Sequence, residues 1–257
     1  MNKTEVLVSH NRITTLTLKG VNGLNILSYD TIKQIAKSLD IIEKDNSIEV
    51  IIITGSGNKA FCSGADINEL ATMQDDLIDE YVSFATDTYQ RIENLHCPVI
   101  GAINGYAFGA AFELLLTCDL RIMSNSAKIG QPAIRHGLIP PFGGLHRLPE
   151  IVGMGLAKQI IFTTEEMSAE ECYRIGLVNK ICDFEQLEEE TLKLAERIIL
   201  GKKYSLSTVK NILNNYKSLD SIKLQEKALS DCLRNKETQN QLLSFFERNR
   251  LKDKKNI

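Results

Sequence analysis

The sequence lacks the features that would place it in a membrane or on a nucleic acid. Across its 257 residues, no run approaches the roughly 18 apolar residues that a membrane-spanning helix requires. The N-terminal residues, MNKTE, contain no apolar core of a secretion signal. The formal net charge of −3 gives no general attraction to polyanions. We therefore expect a cytoplasmic protein with neither a membrane nor a nucleic acid as its partner.

The sequence also lacks the cysteine and glycine patterns of common metal, disulfide and phosphate sites. No CxxC pair occurs, and the six cysteines are scattered along the chain as Cys62, Cys97, Cys118, Cys172, Cys182 and Cys232. Such spacing is typical of buried thiols in a reducing compartment. No Gly-Lys-Ser or Gly-Lys-Thr triplet of a P-loop is present. We therefore expect neither a metal site nor a P-loop.

The composition and the hydrophobic pattern are those of an α/β protein. Hydrophobic residues make up 43% and charged residues 25% of the chain, which is ordinary for a globular protein. Helical spacing after Ser28 gives way to Val50-Ile51-Ile52-Ile53, which predicts a strand buried on both faces. A further helix and strand follow.

The capping-box sequence Ser168-Ala169-Glu170-Glu171 predicts a helix that ends at Gly176, and Val178 to Cys182 predicts the last strand. From Phe184 onward amphipathic helices dominate. We expect a core domain of residues 1–195 and a C-terminal helical region of residues 196–257.

Two glycine turns, at Gly64 and Gly109, each precede an alanine whose backbone N–H can face a ligand. Together the N–H groups of Ala65 and Ala110 would form an oxyanion hole, which stabilises the developing enolate oxygen of a thioester. A single Gly-Ala pair is more simply explained as a tight turn. Two pairs in this order, followed by the carboxylate of Glu113, favour a catalytic site.

Glu113 lies in an otherwise apolar helical run, FELLL. A carboxylate is costly to bury there unless it is paired or takes part in chemistry. A raised pKa would suit it to acid/base catalysis. The alternative is a first-turn carboxylate that the helix dipole favours.

The stretch from Gly55 to Ala60, GSGNKA, fits the G-x-G-x-x-G/A pattern of dinucleotide-binding turns. Such a turn must open directly into a helix, whose N-terminal amides meet the pyrophosphate. Here the residues FCSG intervene, and Gly64 would weaken any helix that began there. We therefore expect no dinucleotide site.

Four segments resemble the successive signature blocks of the crotonase (enoyl-CoA hydratase/isomerase) superfamily. They are AFCSGADINEL, PVIGAINGYAFGAAFELLLTCDLRI, IGQPAIRHGLIPPFGGLHRLP and SAEECYRIGLVNKI, in the family's order and across nearly the whole chain. The resemblance implies an α/β crotonase fold with a ββα-spiral core and a C-terminal helical region that supports homotrimers or homohexamers. It also implies a role in fatty acid metabolism, with no separate cofactor, because coenzyme A enters as part of an acyl-CoA substrate.

The resemblance assigns roles to individual positions. It implies that the amides of Ala65 and Ala110 form the oxyanion hole and that Glu113 acts on a proton. The residues it implies for coenzyme A binding are Ser63, Ala65, Asp66, Ile67, Asn68, Phe245 and Arg248. Hydratases often carry lysine where this chain has Asn68, so one phosphate contact is expected to be missing. Arg248 has an alternative interpretation as a solvated helix charge.

The chain departs from the hydratase pattern at Ala133, where the family's second catalytic glutamate is expected. We predict an enoyl-CoA hydratase-like lyase that works slowly, because acid/base help commonly contributes about 10²–10⁴-fold. His136 is a candidate substitute, although a lone histidine is more often structural. The alternatives are an acyl-CoA decarboxylase of the methylmalonyl-CoA type and a non-catalytic relative that binds acyl-CoA or RNA.

Overall fold

The structure is a computed structural model that describes residues 4–216, 227, 229–231, 236, 238 and 240. Two of the predicted coenzyme A contacts, Phe245 and Arg248, lie outside these residues. The chain divides into two compact units, Met1–Gly201 and Lys202–Ile257. The division into residues 1–195 and 196–257 stays a prediction.

Ten strands and nine α-helices have defined bounds among the described residues. The strands are β1 Thr4–Val8, β2 Ile13–Gly20, β3 Val50–Gly55, β4 Ala60–Cys62, β5 Val99–Ile103, β6 Tyr106–Phe108, β7 Leu120–Ser124, β8 Lys128–Gly130, β9 Met167–Ser168 and β10 Lys180–Cys182. The helices are α1 Tyr29–Ile42, α2 Ile67–Ala71, α3 Asp75–Glu93, α4 Ala110–Leu116, α5 Gly144–Val152, α6 Met154–Thr163, α7 Ala169–Arg174, α8 Leu187–Ile198 and α9 Lys203–Asn214. Short 3-10 helices cover Val21–Gly23, Ala133–His136 and Phe184–Gln186.

The main sheet has six strands in the order β1-β2-β3-β5-β7-β10. Only the β1–β2 pair is antiparallel, and the other neighbours are parallel. In β3, Ile51 and Ile53 belong to the larger core, whereas Val50 and Ile52 belong to a smaller core that includes Leu187 of α8. The prediction of a strand buried on both faces is confirmed, and the sheet therefore separates two apolar layers.

A second sheet contains the short strands in the order β4-β6-β8-β9. Its strands β4, β6 and β8 each follow a strand of the main sheet along the chain, namely β3, β5 and β7. Helices α2 and α3 follow β4, and α4 follows β6, so the order strand, strand, helix recurs. The Gly55–Ala60 loop opens into β4 rather than into a helix, so it lacks the helix N-terminus that a dinucleotide-binding turn presents to a pyrophosphate.

Local signals in the sequence account for the predicted helix boundaries. The Ser28 side chain accepts the Thr31 N–H at 3.1 Å and caps α1, as Ser168 caps α7 by accepting from Glu171 at 3.3 Å. Gly176 follows α7 with a φ of +76°, a conformation that suits glycine. In the part of the chain that the structure describes, no helix combines the length and the hydropathy of a membrane span.

Candidate active site

A parallel bridge fixes the backbone around Ala65. The Leu27 N–H donates to the Gly64 carbonyl at 2.9 Å, and the Asp66 N–H donates to the Leu27 carbonyl at 3.1 Å. In this pattern Leu27 bonds to the residues on either side of Ala65. The N–H of Ala65 therefore points away from its neighbouring segment and is available to a ligand.

Two buried asparagines hold the loop that leads into this segment. The Asn25 side chain donates to the Ala60 carbonyl at 2.8 Å and accepts the Gly20 N–H at 2.8 Å. Asn104 donates to the carbonyl of Gly57 at 2.7 Å and to that of Ala60 at 3.1 Å. Both side chains are almost fully buried, so these backbone partners replace water.

The second glycine turn lies against the first. Gly64 has a φ of +103°, and a Cβ on it would lie 2.6 Å from the Phe108 carbonyl oxygen and 3.9 Å from the Ala110 nitrogen. Gly109 has a φ of +56° and stands between β6 and α4, which begins at Ala110. The first N–H of a helix has no acceptor within that helix. Because a Cβ at position 64 would collide with the Phe108 carbonyl oxygen, only glycine there lets the two backbone turns approach this closely.

Together the two alanines present a pair of backbone donors. Neither the Ala65 N–H nor the Ala110 N–H has a hydrogen-bond acceptor among the residues that the structure describes. The Tyr89 hydroxyl donates to the Ala110 carbonyl at 2.9 Å and thereby steadies the first turn of α4. Unpaired N–H groups on two adjoining backbone segments are what a developing thioester oxyanion requires.

Glu113 lies one helical turn after Ala110 and is 1% exposed. Its Oε1 accepts the N–H groups of Phe142 and Gly144, each at 2.9 Å. Burial raises the pKa of Glu113 to about 7, although those two bonds and the cation of Arg147 act to lower it. A carboxyl group with this pKa exchanges protons readily near neutral pH, which suits acid/base chemistry.

Aromatic rings pack together on one side of the Glu113 carboxylate. The rings of Tyr81 and Phe142 are 6.0 Å apart between centroids, and those of Tyr89 and Phe142 are 5.1 Å apart. Tyr29 packs edge-on against Tyr81 at 5.4 Å. The Tyr81 hydroxyl has no hydrogen bond to any described residue, and burial raises the pKa of Tyr81 to about 12. This packing contributes to the burial that raises the pKa of Glu113.

Arg147 and Glu93 are site residues that the sequence did not indicate. Arg147 Nη1 donates to the Phe142 carbonyl at 2.8 Å, and Nη2 lies 2.7 Å from Glu93 Oε2. Arg147 stands in a segment that the resemblance covers, but no role was assigned to it. The pair is 54 residues apart in the chain, so no local spacing indicates it.

The other predicted coenzyme A contacts flank the Ala65 turn. Asp66 caps α2, because its Oδ1 accepts the N–H groups of Asn68 at 3.0 Å and Glu69 at 3.3 Å. Ile67 and Asn68 are exposed, and Ser63 is partly buried. These positions can be reached by a ligand, and their role in binding stays a prediction.

The position at which the resemblance implies a second glutamate lies on a 3-10 helix. Ala133 begins this helix, Ala133–His136, and is partly buried. His136 is exposed and has no hydrogen bond or ion pair with any residue in the described ranges. The structure therefore brings Ala110 and Glu113 together with Ala65 but gives His136 no link to Glu113.

Comparison with known proteins assigns the family. A family model described as Enoyl-CoA hydratase/isomerase matches residues 9–255. The chain belongs to the enoyl-CoA hydratase/isomerase family. It is 32% identical over 254 residues to a short-chain-enoyl-CoA hydratase of Clostridium acetobutylicum, covering 98% of this chain and 97% of the relative. It is 33% identical over 246 residues to a crotonyl-CoA hydratase of Syntrophomonas wolfei, covering 95% of each chain.

Solved structures of the enoyl-CoA hydratase/isomerase family share the fold. An enoyl-CoA hydratase from Bacillus anthracis has a TM-score of 0.90 at 32% identity, covering 95% of this chain and 96% of that one. An enoyl-CoA hydratase structure from Geobacillus kaustophilus has a TM-score of 0.88 at 27% identity, covering 96% and 97%. The predicted superfamily, crotonase fold and family lyase assignment are confirmed. The homotrimer or homohexamer stays a prediction.

Proposed function

We propose that this enzyme adds water to a 2-enoyl-CoA thioester and releases a 3-hydroxyacyl-CoA. The observation that carries the proposal is the buried Glu113, whose pKa of about 7 and position one turn from the Ala110 N–H combine an acid/base with an oxyanion donor. The names of the hydratase relatives support the same reaction. Coenzyme A arrives as part of the substrate, and no separate cofactor takes part in the reaction.

In the proposed reaction, the thioester oxygen accepts hydrogen bonds from the N–H groups of Ala65 and Ala110. The Glu113 carboxylate takes a proton from water while the water oxygen bonds to Cβ. The C=C electron pair moves toward the thioester, and the two N–H groups stabilise the resulting enolate. Glu113 then returns the same proton to Cα, so one H and one OH have been added in total.

Ala133 makes Glu113 responsible for both proton transfers. The methyl side chain of alanine has no proton to donate, so no second carboxyl group is available at that position to protonate Cα. General acid/base assistance typically contributes about 10²–10⁴-fold. We therefore expect hydration to be slower by a factor in this range than in hydratases that carry both glutamates.

We assign binding of coenzyme A to a group of residues around the first glycine turn and to two C-terminal residues outside the described ranges. They are Ser63, Ala65, Asp66, Ile67 and Asn68, and Phe245 and Arg248. The Asp66 N–H donates to Leu27, its carbonyl accepts from Leu70 and its Oδ1 caps α2, so Oδ2 is the polar atom of Asp66 that makes no hydrogen bond within the described ranges and is open to a ligand. Asn68 is uncharged, so no charge-assisted phosphate contact is expected from it.

Turnover of two substrates tests the reaction. Purified protein is incubated with crotonyl-CoA and with methylmalonyl-CoA, and the products are identified by mass spectrometry. Formation of 3-hydroxybutyryl-CoA supports hydration. Decarboxylation of methylmalonyl-CoA without hydration would favour the alternative enzyme. Binding of both thioesters without turnover of either would favour a non-catalytic acyl-CoA-binding protein and overturn the proposal.

A further inference from the structure

An ion pair adjoins the loop that binds Glu113. Arg147 of α5 and Glu93 at the end of α3 form it, with 2.7 Å between Nη2 and Oε2. The other terminal nitrogen of Arg147 donates to the Phe142 carbonyl at 2.8 Å. Because the Phe142 N–H is one of the two donors to Glu113, a single loop connects the ion pair with the carboxylate.

The guanidinium of Arg147 has little freedom to move. A Cβ on Gly143 would lie 2.2 Å from its Nη1, so the absence of a side chain there makes room for the guanidinium. The Arg147 side chain is 11% exposed. Its Nε is buried and has no acceptor among the described residues. The cation is therefore fixed in place and only partly compensated by its neighbours.

We infer that the Glu93–Arg147 ion pair positions the Glu113 carboxylate and sets how readily it takes up a proton. Arg147 acts as a positioning residue through the Phe142 carbonyl and as a nearby positive charge. Glu93 holds the guanidinium and moderates its charge. The inference relies on the proposed function only for the catalytic role of Glu113.

The charges around Glu113 support this assignment. Among the described residues, the titratable groups that face it are Tyr81 and Tyr89 of α3 and Arg147 of α5. Burial raises the pKa of Tyr81 to about 12 and that of Tyr89 well above its usual value, so both phenols are neutral. Cys62, which adjoins Tyr89, is also neutral because burial raises its pKa to about 12. Arg147 is therefore the charged group among them, and it lowers the pKa of Glu113.

Two substitutions are expected to move the titration of Glu113 in opposite directions. Arg147→Met removes the cation and is expected to raise the pKa of Glu113 by about one pH unit. Glu93→Gln keeps an acceptor for Arg147 but removes a negative charge, so it is expected to lower that pKa by a smaller amount. A merely structural role would not produce opposite shifts.

The readout is the titration of the Glu113 carboxyl group itself, followed by infrared difference spectroscopy without substrate. The Glu113→Gln protein identifies the band. Arg147→Lys keeps a cation. The titration midpoint of Glu113 in this variant is therefore expected to return most of the way from the Arg147→Met value to the wild-type value. Arg91→Met and Glu43→Gln serve as controls, because they break an ion pair of 2.9 Å that also involves α3, and neither is expected to move the midpoint.

Opposite shifts with rescue by lysine support the inference. Shifts in one direction, no shift in either variant, or no rescue by lysine overturn it. If Arg147→Met does not fold, Glu93→Gln decides alone, since a lowered midpoint supports the inference and an unchanged one overturns it. Opposite shifts in a protein that hydrates no enoyl-CoA would sink the proposed function and leave the electrostatic role of the pair in place.

Discussion

Glu113 fits so closely against Gly144 that a methyl group at position 144 would displace it. A Cβ there would lie 2.7 Å from both Cγ and Oε1 of Glu113, closer than nonbonded atoms approach. Gly144→Ala is expected to lower kcat about 10²-fold, because small displacements of a catalytic group commonly cost this much. Steady-state kinetics of the folded variant with crotonyl-CoA measures the effect.

Gly155→Ala provides the matched control. A Cβ at Gly155, in α6, would meet nothing within 4 Å, so the same chemical change should leave kcat within about twofold of wild type. A Gly144→Ala enzyme with wild-type kcat would contradict the tight fit around Glu113.

At the residue scale, sequence reasoning finds groups that are close together in the chain. Ala110 and Glu113 share one helical turn, so a motif contains both. Asn25 and Arg147 were missed because their partners are remote, with Asn25 reaching Ala60 across 35 positions. Only the fold brings such residues together.

The loop between β3 and β4 depends on the two buried asparagines. Asn104→Ala removes the donors to Gly57 and Ala60 and leaves the Gly55 N–H, which now donates to Asn104 at 3.0 Å, without this partner. We expect a loss of about 3 kcal/mol in the free energy of unfolding, because buried polar groups left unpaired each cost about 1–3 kcal/mol. Chemical denaturation measures it.

Asn58→Ala is the control for this loop. Asn58 is exposed in the same loop, and its side chain makes no hydrogen bond to a described residue. Its replacement should change stability by less than about 0.5 kcal/mol. Equal losses in both variants would show that Asn104 does not brace the loop.

At the scale of elements, caps and periodicity predicted α1, α7, β3 and the helix and strand that follow it, whereas β1, β2 and the short strands of the second sheet were not predicted. β4, β6 and β8 have three residues each, too few for a recognisable alternation. The last strand was expected from Val178 but begins at Lys180. The Val178 N–H instead donates to the Cys172 carbonyl at 3.2 Å and continues the turn that ends α7.

At the scale of the whole molecule, the buried Glu113 links stability to pH. The pKa of Glu113 rises from 4.5 to about 7 on folding. The resulting contribution of Glu113 to the free energy of unfolding is therefore fully present below about pH 4.5 and is lost as pH rises through 7. The corresponding change is about 3 kcal/mol. Glu113→Gln has no such dependence and should gain stability relative to wild type as pH increases.

Denaturant unfolding of both proteins at about pH 5 and at about pH 8 checks this expectation. Glu196→Gln, at an exposed position of α8, serves as the control and should follow wild type. A stability difference between wild type and Glu113→Gln that does not change with pH would mean that Glu113 titrates near its ordinary value.

The crotonase fold was predictable because the resemblance runs through blocks spread along the chain. Composition and periodicity alone predicted the α/β class, but they did not predict that the strands form two sheets or how those sheets are arranged. Assembly and the contributions of Phe245 and Arg248 to coenzyme A binding stay predictions, since these residues lie outside the described ranges.

The pH dependence of crotonyl-CoA hydration by wild type and Glu113→Gln tests the central role of Glu113 most directly. The glutamine side chain keeps an oxygen that can accept from Phe142 and Gly144, so the loop is expected to stay in place. We predict that kcat of the wild type rises with pH through about 7 and that Glu113→Gln loses about 10²–10⁴-fold in kcat with little change in KM. Hydration at the wild-type rate by Glu113→Gln, or a wild-type rate that does not change with pH near 7, would contradict the assignment of Glu113 as the acid/base.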